Sequence, residues 1–390
     1  MAYRGVRLMN VIFLKVLGFL LIFIFVLSTV NVAHSALEVI ATIPVGTNPD
    51  GVTYDSGKGE IFVANSGDDT VSVISDSSNT VVATVSVGVK PSGVAYDSGR
   101  GEIWVTNNGA GTVSVISDSS NTVIATVTVG TNPVGVAYDS DKSEIYVANW
   151  GSSAISVISD NNNTVIATVP VGNNPMGVVY DSAKGEIFVA NSYWTNARID
   201  GSVSVISDST NAVVATINTL YNPFYLAYDS VKGEVFVADA GASTIQVISD
   251  NTYAVIANLT LPAGSGPYGL AYDSGTREVF CTSGDSGIYS TVSVISESNN
   301  AVVENVSVGY SPHGLAYVAG KGEVFVTNND DSTVSVISDS SSTSASPSPT
   351  SPSITGSNPI LSAEVIYFAA ILVGVAIIAV VVFVIKRKKR

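Results

Sequence analysis

The chain contains one cysteine in 390 residues, Cys281. No intrachain disulfide can form, so stability must come from packing rather than cross-links. Cys281 lies in an apolar stretch and reads as a buried, inert thiol. Charge is scarce too: Asp, Glu, Lys and Arg make up 13% of the chain, against 46% hydrophobic residues. Bases are scarcest. Of 17, Arg4, Arg7 and Lys15 lie near the N-terminus and Lys386, Arg387, Lys388, Lys389 and Arg390 form the C-terminus. The nine between them face 32 acids, a net of −23. Such a domain repels phosphate backbones, which argues against nucleic acid and favours cations or basic partners. Histidine occurs twice, at His34 and His313. No Cys/His cluster has zinc spacing, and neither Gly-x-Ser-x-Gly nor a phosphate-binding glycine loop is present.

Valine, serine, threonine, glycine and asparagine dominate instead, the vocabulary of strands and tight turns. Only the two ends depart from it. Arg4 and Arg7 precede an apolar run from Val16 to Val30 and the small residues of Val32-Ala33-His34-Ser35-Ala36. Residues 1–35 thus form a secretory signal with a cut after Ser35, the alternative being an uncleaved anchor. At the other end, Val365–Ile385 runs for 21 residues without a charge, enough for a helix to cross ~30 Å of hydrocarbon. The basic residues 386–390 then stay in the cytoplasm and everything before the helix lies outside. Residues 363–385 are expected to span the membrane. Residues 339–362, rich in Ser, Thr and Pro, make an extended stalk open to O-glycosylation.

Between the ends the chain repeats. Tyr54, Tyr96, Tyr138, Tyr180, Tyr228, Tyr272 and Tyr317 recur at spacings of 42, 42, 42, 48, 44 and 45. Each unit holds four apolar runs separated by turn residues. The first has Gly51–Tyr54, Glu60–Asn65, Thr70–Ser75 and Thr80–Val85. Such a unit is a four-stranded antiparallel meander, and a lone one cannot bury both its faces. Seven placed radially can, so residues 36–338 are expected to form an all-β, seven-bladed β-propeller. The second run is apolar at nearly every position, as expected of a strand covered on both sides; the fourth should alternate more, half in water. The seventh unit stops after Thr333–Ile337, while Leu37–Val45 matches Thr80–Val87. The N-terminal segment is therefore expected to supply the last blade's outer strand and lock the ring.

Second runs such as Ile103-Trp104-Val105-Thr106-Asn107 and Val324-Phe325-Val326-Thr327-Asn328, with Pro-x-Gly before each first strand, resemble the YVTN β-propeller repeat family. The resemblance spans about Leu37 to Ser338; the sixth unit departs with Phe280-Cys281-Thr282-Ser283. It implies the propeller fold and a place among archaeal surface-layer and cell-surface proteins. Related propellers also include lyases and quinoprotein dehydrogenases.

Strand direction sorts the loops onto two faces. Connections between first and second strands, and between third and fourth, share a bottom face; the others share the top. Eleven extra residues, within Asn191–Ser202, Pro262–Gly266 and Ser283–Ser290, all fall on top. So do aromatics no strand requires: Trp150, Tyr193, Trp194, Tyr221, Phe224, Tyr268, Tyr289 and Tyr310. The set is a candidate binding face for a glycan or a surface protein, against the plainer role of local packing over loops. Because the last blade's third strand ends at the bottom, that face points away from the cell. His313 is the x of Pro312-His313-Gly314; the equivalents Asp50, Ser92, Val134, Met176, Phe224 and Tyr268 also lie near the mouth of the channel. General acid–base work would fall to His313 and neighbouring carboxylates, but a mixed ring reads more simply as a variable loop position.

Asp68, Asp69, Asp330 and Asp331 occupy corresponding top loops of neighbouring blades, where calcium is conceivable and plain solvation the simpler role. No other cofactor is indicated. The recurring Tyr-Asp-Ser shapes the first turn, Asp accepting backbone hydrogen bonds. Asn162, Asn258 and Asn305 are glycosylation sequons, the last two at one position of successive outer strands. The expected protein is a non-enzymatic adhesion, recognition or envelope component on the cell surface. The alternative is a surface-attached enzyme, whose pocket would gather polar groups around His313.

Overall fold

The computed structural model describes residues 36–192, 201–218, 221–284 and 290–339. The expected signal, spanning helix and basic tail, the stalk beyond its first residue, and Tyr193, Trp194 and Tyr289, lie outside them. Among the described residues no helix is long and apolar enough to cross a membrane.

Twenty-eight strands form seven four-stranded antiparallel sheets. The first blade comprises β2 (Pro49–Asp55), β3 (Glu60–Asn65), β4 (Thr70–Ser75) and β5 (Thr80–Ser86), hydrogen-bonded in that order. The inner strands of the next six blades are β6 (Pro91–Asp97), β10 (Pro133–Asp139), β14 (Pro175–Asp181), β18 (Pro223–Asp229), β22 (Pro267–Asp273) and β26 (Pro312–Val318). Each adjoins the next, and β26 adjoins β2, so the ring closes. The seventh blade completes it as expected. Its strands β27 (Glu323–Asn328) and β28 (Thr333–Asp339) are joined by β1 (Leu37–Pro44), which pairs antiparallel with β28 from Leu37↔Asp339 to Pro44↔Thr333.

The molecule has one core per junction rather than one at the axis. Phe62 and Ala64 of β3 pack with Ile103, Val105 and Ile116 of the second blade. The residues between them, Ile61 and Val63, turn the other way onto Phe325, Val334 and Val336 of the seventh, beside Ile43 of β1. Alternate side chains of one strand thus serve two interfaces, which is why every position from Ile61 to Ala64 is apolar and fully buried. Each large aliphatic side chain so buried stabilises the ring by about 1.5–3 kcal/mol.

The outer strands differ from expectation. Alternation holds over Ala83–Ser86 but fails upstream, where Val81 and Val82 are both exposed. Val73 pairs with Ala83 and Ile74 with Val81, so Val82 is the extra residue of a β-bulge. A bulge sits at the same place in each blade, in β1 at Ile40. It twists an uncovered edge and disfavours edge-to-edge pairing.

Hydrogen bonds separate the two faces. On the bottom, Asp76 N donates to Gly59 O, tying the third turn to the first; on top, Gly67 N donates to Thr47 O. The Tyr-Asp-Ser aspartates act as expected: Asp55 Oδ1 accepts from Gly57 N at 2.8 Å and Lys58 N at 3.2 Å. The same carboxylate faces the next blade's tyrosine, and burial followed by that contact pushes the Tyr96 hydroxyl up to about 12.

Candidate binding site at the channel mouth

The inner strands approach one another too closely for side chains at one position. A Cβ on Gly51 would fall 2.2 Å from Ser92 O, and one on Gly269 would fall 2.1 Å from His313 O. The repeat therefore places glycine after the x of Pro-x-Gly in six blades. The fifth blade breaks the rule with Tyr225. It does so beside the junction where the connecting loop, Pro262–Gly266, is two residues longer than its counterparts.

Tyr225 enters the channel, whose cavity of about 130 Å³ is lined by Asp50, Tyr225, Tyr268 and His313 above Val52, Val94, Val136, Val178, Leu270 and Leu315. Its hydroxyl lies near Ser92 in the second blade and Tyr268 in the sixth. Burial, with the Asp50 charge behind it, raises its pKa, so the phenol stays a neutral donor. Its ring lies 5.2 Å from that of Tyr268, which in turn meets Phe224 at 5.3 Å and stacks on the His313 imidazole at 4.5 Å.

Across the channel, Asp50 Oδ1 pairs with His313 Nδ1 at 3.1 Å, and Oδ2 accepts from Ser92 Oγ at 2.6 Å. Burial opposes ionisation of Asp50, but the bond and charge from His313, with the bond from Ser92, outweigh it and hold its pKa below the ordinary value. Threonines hold the backbone beneath: Thr327 Oγ1 donates to Asp50 O at 2.7 Å and Thr282 Oγ1 to His313 O at 2.8 Å. The site is pre-formed, with polar groups from five blades converging on one point.

The aromatic face expected from sequence divides. Phe224 is buried in the mouth, and Tyr268 and His313 join it. Trp150, Tyr221 and Tyr310 stand apart on the top, 39%, 42% and 60% exposed, with no ring contact joining them among the described residues. Tyr225 was not legible as a site residue from aromatic counting, though its signal was present: it replaces a glycine that six blades keep.

Three of the four top-loop aspartates accept from loop backbone, while Asp330 is exposed. Asp68 Oδ2 accepts from Thr47 N at 2.6 Å, Asp69 Oδ1 from Lys90 N at 2.8 Å and Asp331 Oδ2 from Tyr310 N at 2.7 Å. Among the described residues no three metal-ligating side chains gather to hold an ion. Asn162, Asn258 and Asn305 are all exposed. The Thr164 hydroxyl donates to Asn162 Oδ1 at 2.7 Å, and Asn305 accepts from Ser293.

Among the described residues, lysine and arginine avoid the mouth. Among the described residues, Lys58, Arg100, Lys142, Lys184, Lys232, Arg277 and Lys321 all lie in first turns on the bottom face, and Lys90 alone lies on top. Several brace neighbouring blades: Lys184 reaches Asp250 at 3.4 Å, Lys232 reaches Glu297 at 3.5 Å and Lys321 reaches Asp76 at 3.3 Å across the closing junction.

No family model matches the chain, and no curated protein does. Among solved structures it is similar to Kuenenia stuttgartiensis hydrazine synthase, with a TM-score of 0.66 and 18% identity, over 75% of this chain and 96% of that one. At that identity the likeness is one of fold, and the fold is a seven-bladed β-propeller.

Proposed function

We propose that this protein is a recognition module displayed on the cell surface, which takes its ligand at the top mouth of the propeller. One observation carries the reading. The seven positions that follow the first proline of each inner strand share a backbone scaffold, yet their side chains differ in every blade, and Asp50, Ser92, Phe224, Tyr268 and His313 meet there with Tyr225. A scaffold held constant while its mouth varies is what specific binding requires. Surface display is supported by the charge-free run Val365–Ile385 and the basic residues after it. The YVTN resemblance and the sequons Asn162, Asn258 and Asn305 agree with an external setting.

A catalytic reading has one support, the His313–Asp50 pair, which orients the imidazole as a base would need. Against it, the Ser92 hydroxyl donates to Asp50 and not to the imidazole, so it is not activated as a nucleophile. Recognition is the better fit. The test uses the full chain and its Tyr225→Gly and Tyr268→Ala variants against glycan arrays and envelope proteins, beside protease treatment of intact cells. Ligands should be captured unaltered by the parent and lost by both variants, with the propeller cleaved from outside. Undiminished capture by both variants refutes the mouth as the site; a ligand released chemically changed supports the enzyme.

A further inference from the structure

We infer that the mouth takes an ammonium group, held by the Asp50 carboxylate and enclosed by the rings of Tyr225 and Tyr268; this rests on the recognition reading and adds the ligand's chemistry.

Asp50 meets the His313 imidazole at 3.1 Å, and no lysine or arginine among the described residues reaches it. A carboxylate offers about four acceptor positions, and His313 and Ser92 occupy two. The remaining acceptor capacity adjoins a cavity that is also lined by the Tyr225 phenol, which burial keeps neutral. A compact cation with several N–H donors completes such a carboxylate, whereas an anion would be repelled and an apolar group would leave it unsatisfied. The surrounding domain, with nine bases against 32 acids between the chain's ends, draws cations toward any opening.

Aromatic geometry adds the second element. Tyr268 is the hub of a ring cluster at the opening, meeting Phe224 at 5.3 Å, Tyr225 at 5.2 Å and the His313 imidazole at 4.5 Å. Ring faces beside a carboxylate are what a partly desolvated ammonium prefers. Tyr225 is present only because one blade abandons the glycine its junction otherwise demands, so the ring is an addition to the scaffold and not part of it.

Size selects the form of the ligand. A cavity of about 130 Å³ falls below the roughly 300–1,000 Å³ of pockets that engulf a whole small molecule. It admits a chain terminus, such as an alkylammonium or a lysine side chain on a surface protein, and leaves a sugar ring outside. Both sources present the same chemistry.

Titrating the full chain in detergent, by calorimetry, with butylammonium and with Nα-acetyl-lysine amide tests this, 1-butanol and glucose being the neutral comparisons. Both amines should bind and neither neutral compound should. Saturation by butylammonium assigns a free amine as sufficient; binding of the lysine derivative alone assigns a protein side chain. Asp50→Asn, which preserves shape, should weaken amine binding roughly ten- to hundredfold, and Tyr268→Leu should weaken it with Asp50 intact. Melting curves establish that each variant is folded. Equal binding of butanol and butylammonium, or an unchanged affinity in Asp50→Asn, overturns the inference. If glucose binds instead and Tyr225→Gly abolishes it, the cation chemistry falls while the mouth stands as the site.

Discussion

Replacing Gly93 by alanine tests the geometry on which both fold and mouth depend. The new Cβ would lie 2.2 Å from Val134 O and 3.3 Å from Thr106 Oγ1. Val134 O is backbone, so it cannot swing aside; β10 must move away from β6. That movement breaks a specific bond, because Thr106 Oγ1 donates to Val134 O at 2.7 Å while accepting from Gly93 N at 2.8 Å. Overpacking a rigid contact costs about 1–3 kcal/mol, and the lost bond adds about 1 kcal/mol. Thr106→Val removes both of the hydroxyl's bonds without introducing the clash, so it should cost only the bonding, about 1–2 kcal/mol. Urea denaturation of both variants separates strain from hydrogen bonding. Gly93→Ala should fall about 2–4 kcal/mol below the parent and Thr106→Val about 1–2 kcal/mol below it. If Gly93→Ala loses no more than Thr106→Val, the inner strands are not in fixed contact, and the explanation for six glycines fails.

Other outcomes follow from particular residues. Ile43→Ala empties a buried position of β1 beside Val334 and Val336 and should destabilise by about 2–5 kcal/mol in chemical denaturation; a neutral result would mean the N-terminal strand does not close the ring. Burial pushes Asp160 up to about 6 and raises Glu102, Glu144, Asp181 and Glu323 as well. The folded state then binds protons more tightly than the unfolded one. Stability from these groups is complete below the ordinary carboxylate range and is lost as pH rises through the folded values, for Asp160 between 3.8 and about 6. Tm should accordingly be higher at pH 5 than at pH 8, and a lower Tm at pH 5 would contradict it. Cys281 is fully buried, and burial pushes its thiol up to about 12. It should not react with Ellman's reagent until the protein unfolds.

Much of this was legible along the chain because the repeat is nearly periodic. Seven tyrosines at spacings near 42 counted the blades, and the missing fourth strand after Ile337, matched by a surplus one at Leu37, foretold the closure. The continuous apolar run Ile61–Ala64 announced a strand with two covered faces. Where the periodic pattern hides backbone irregularity, reading failed. Val82 looks like one more member of an alternating strand, yet a bulge turns it outward, because hydropathy alone does not show where two residues face one.

The candidate site divides along the same line. Local sequence determines what each blade offers: a Pro-x-Gly turn, a variable side chain at x, and glycine wherever a neighbouring carbonyl comes within about van der Waals distance. It does not determine which blades face one another across the axis. Asp50 and His313 are 263 residues apart and become partners only when β26 docks beside β2. Tyr225 reaches Ser92 only because the fifth blade stands across the ring from the second. Ring closure converts seven independent loop positions into one mouth, and closure is a property of the whole set of junctions, each too weak to exist without the others.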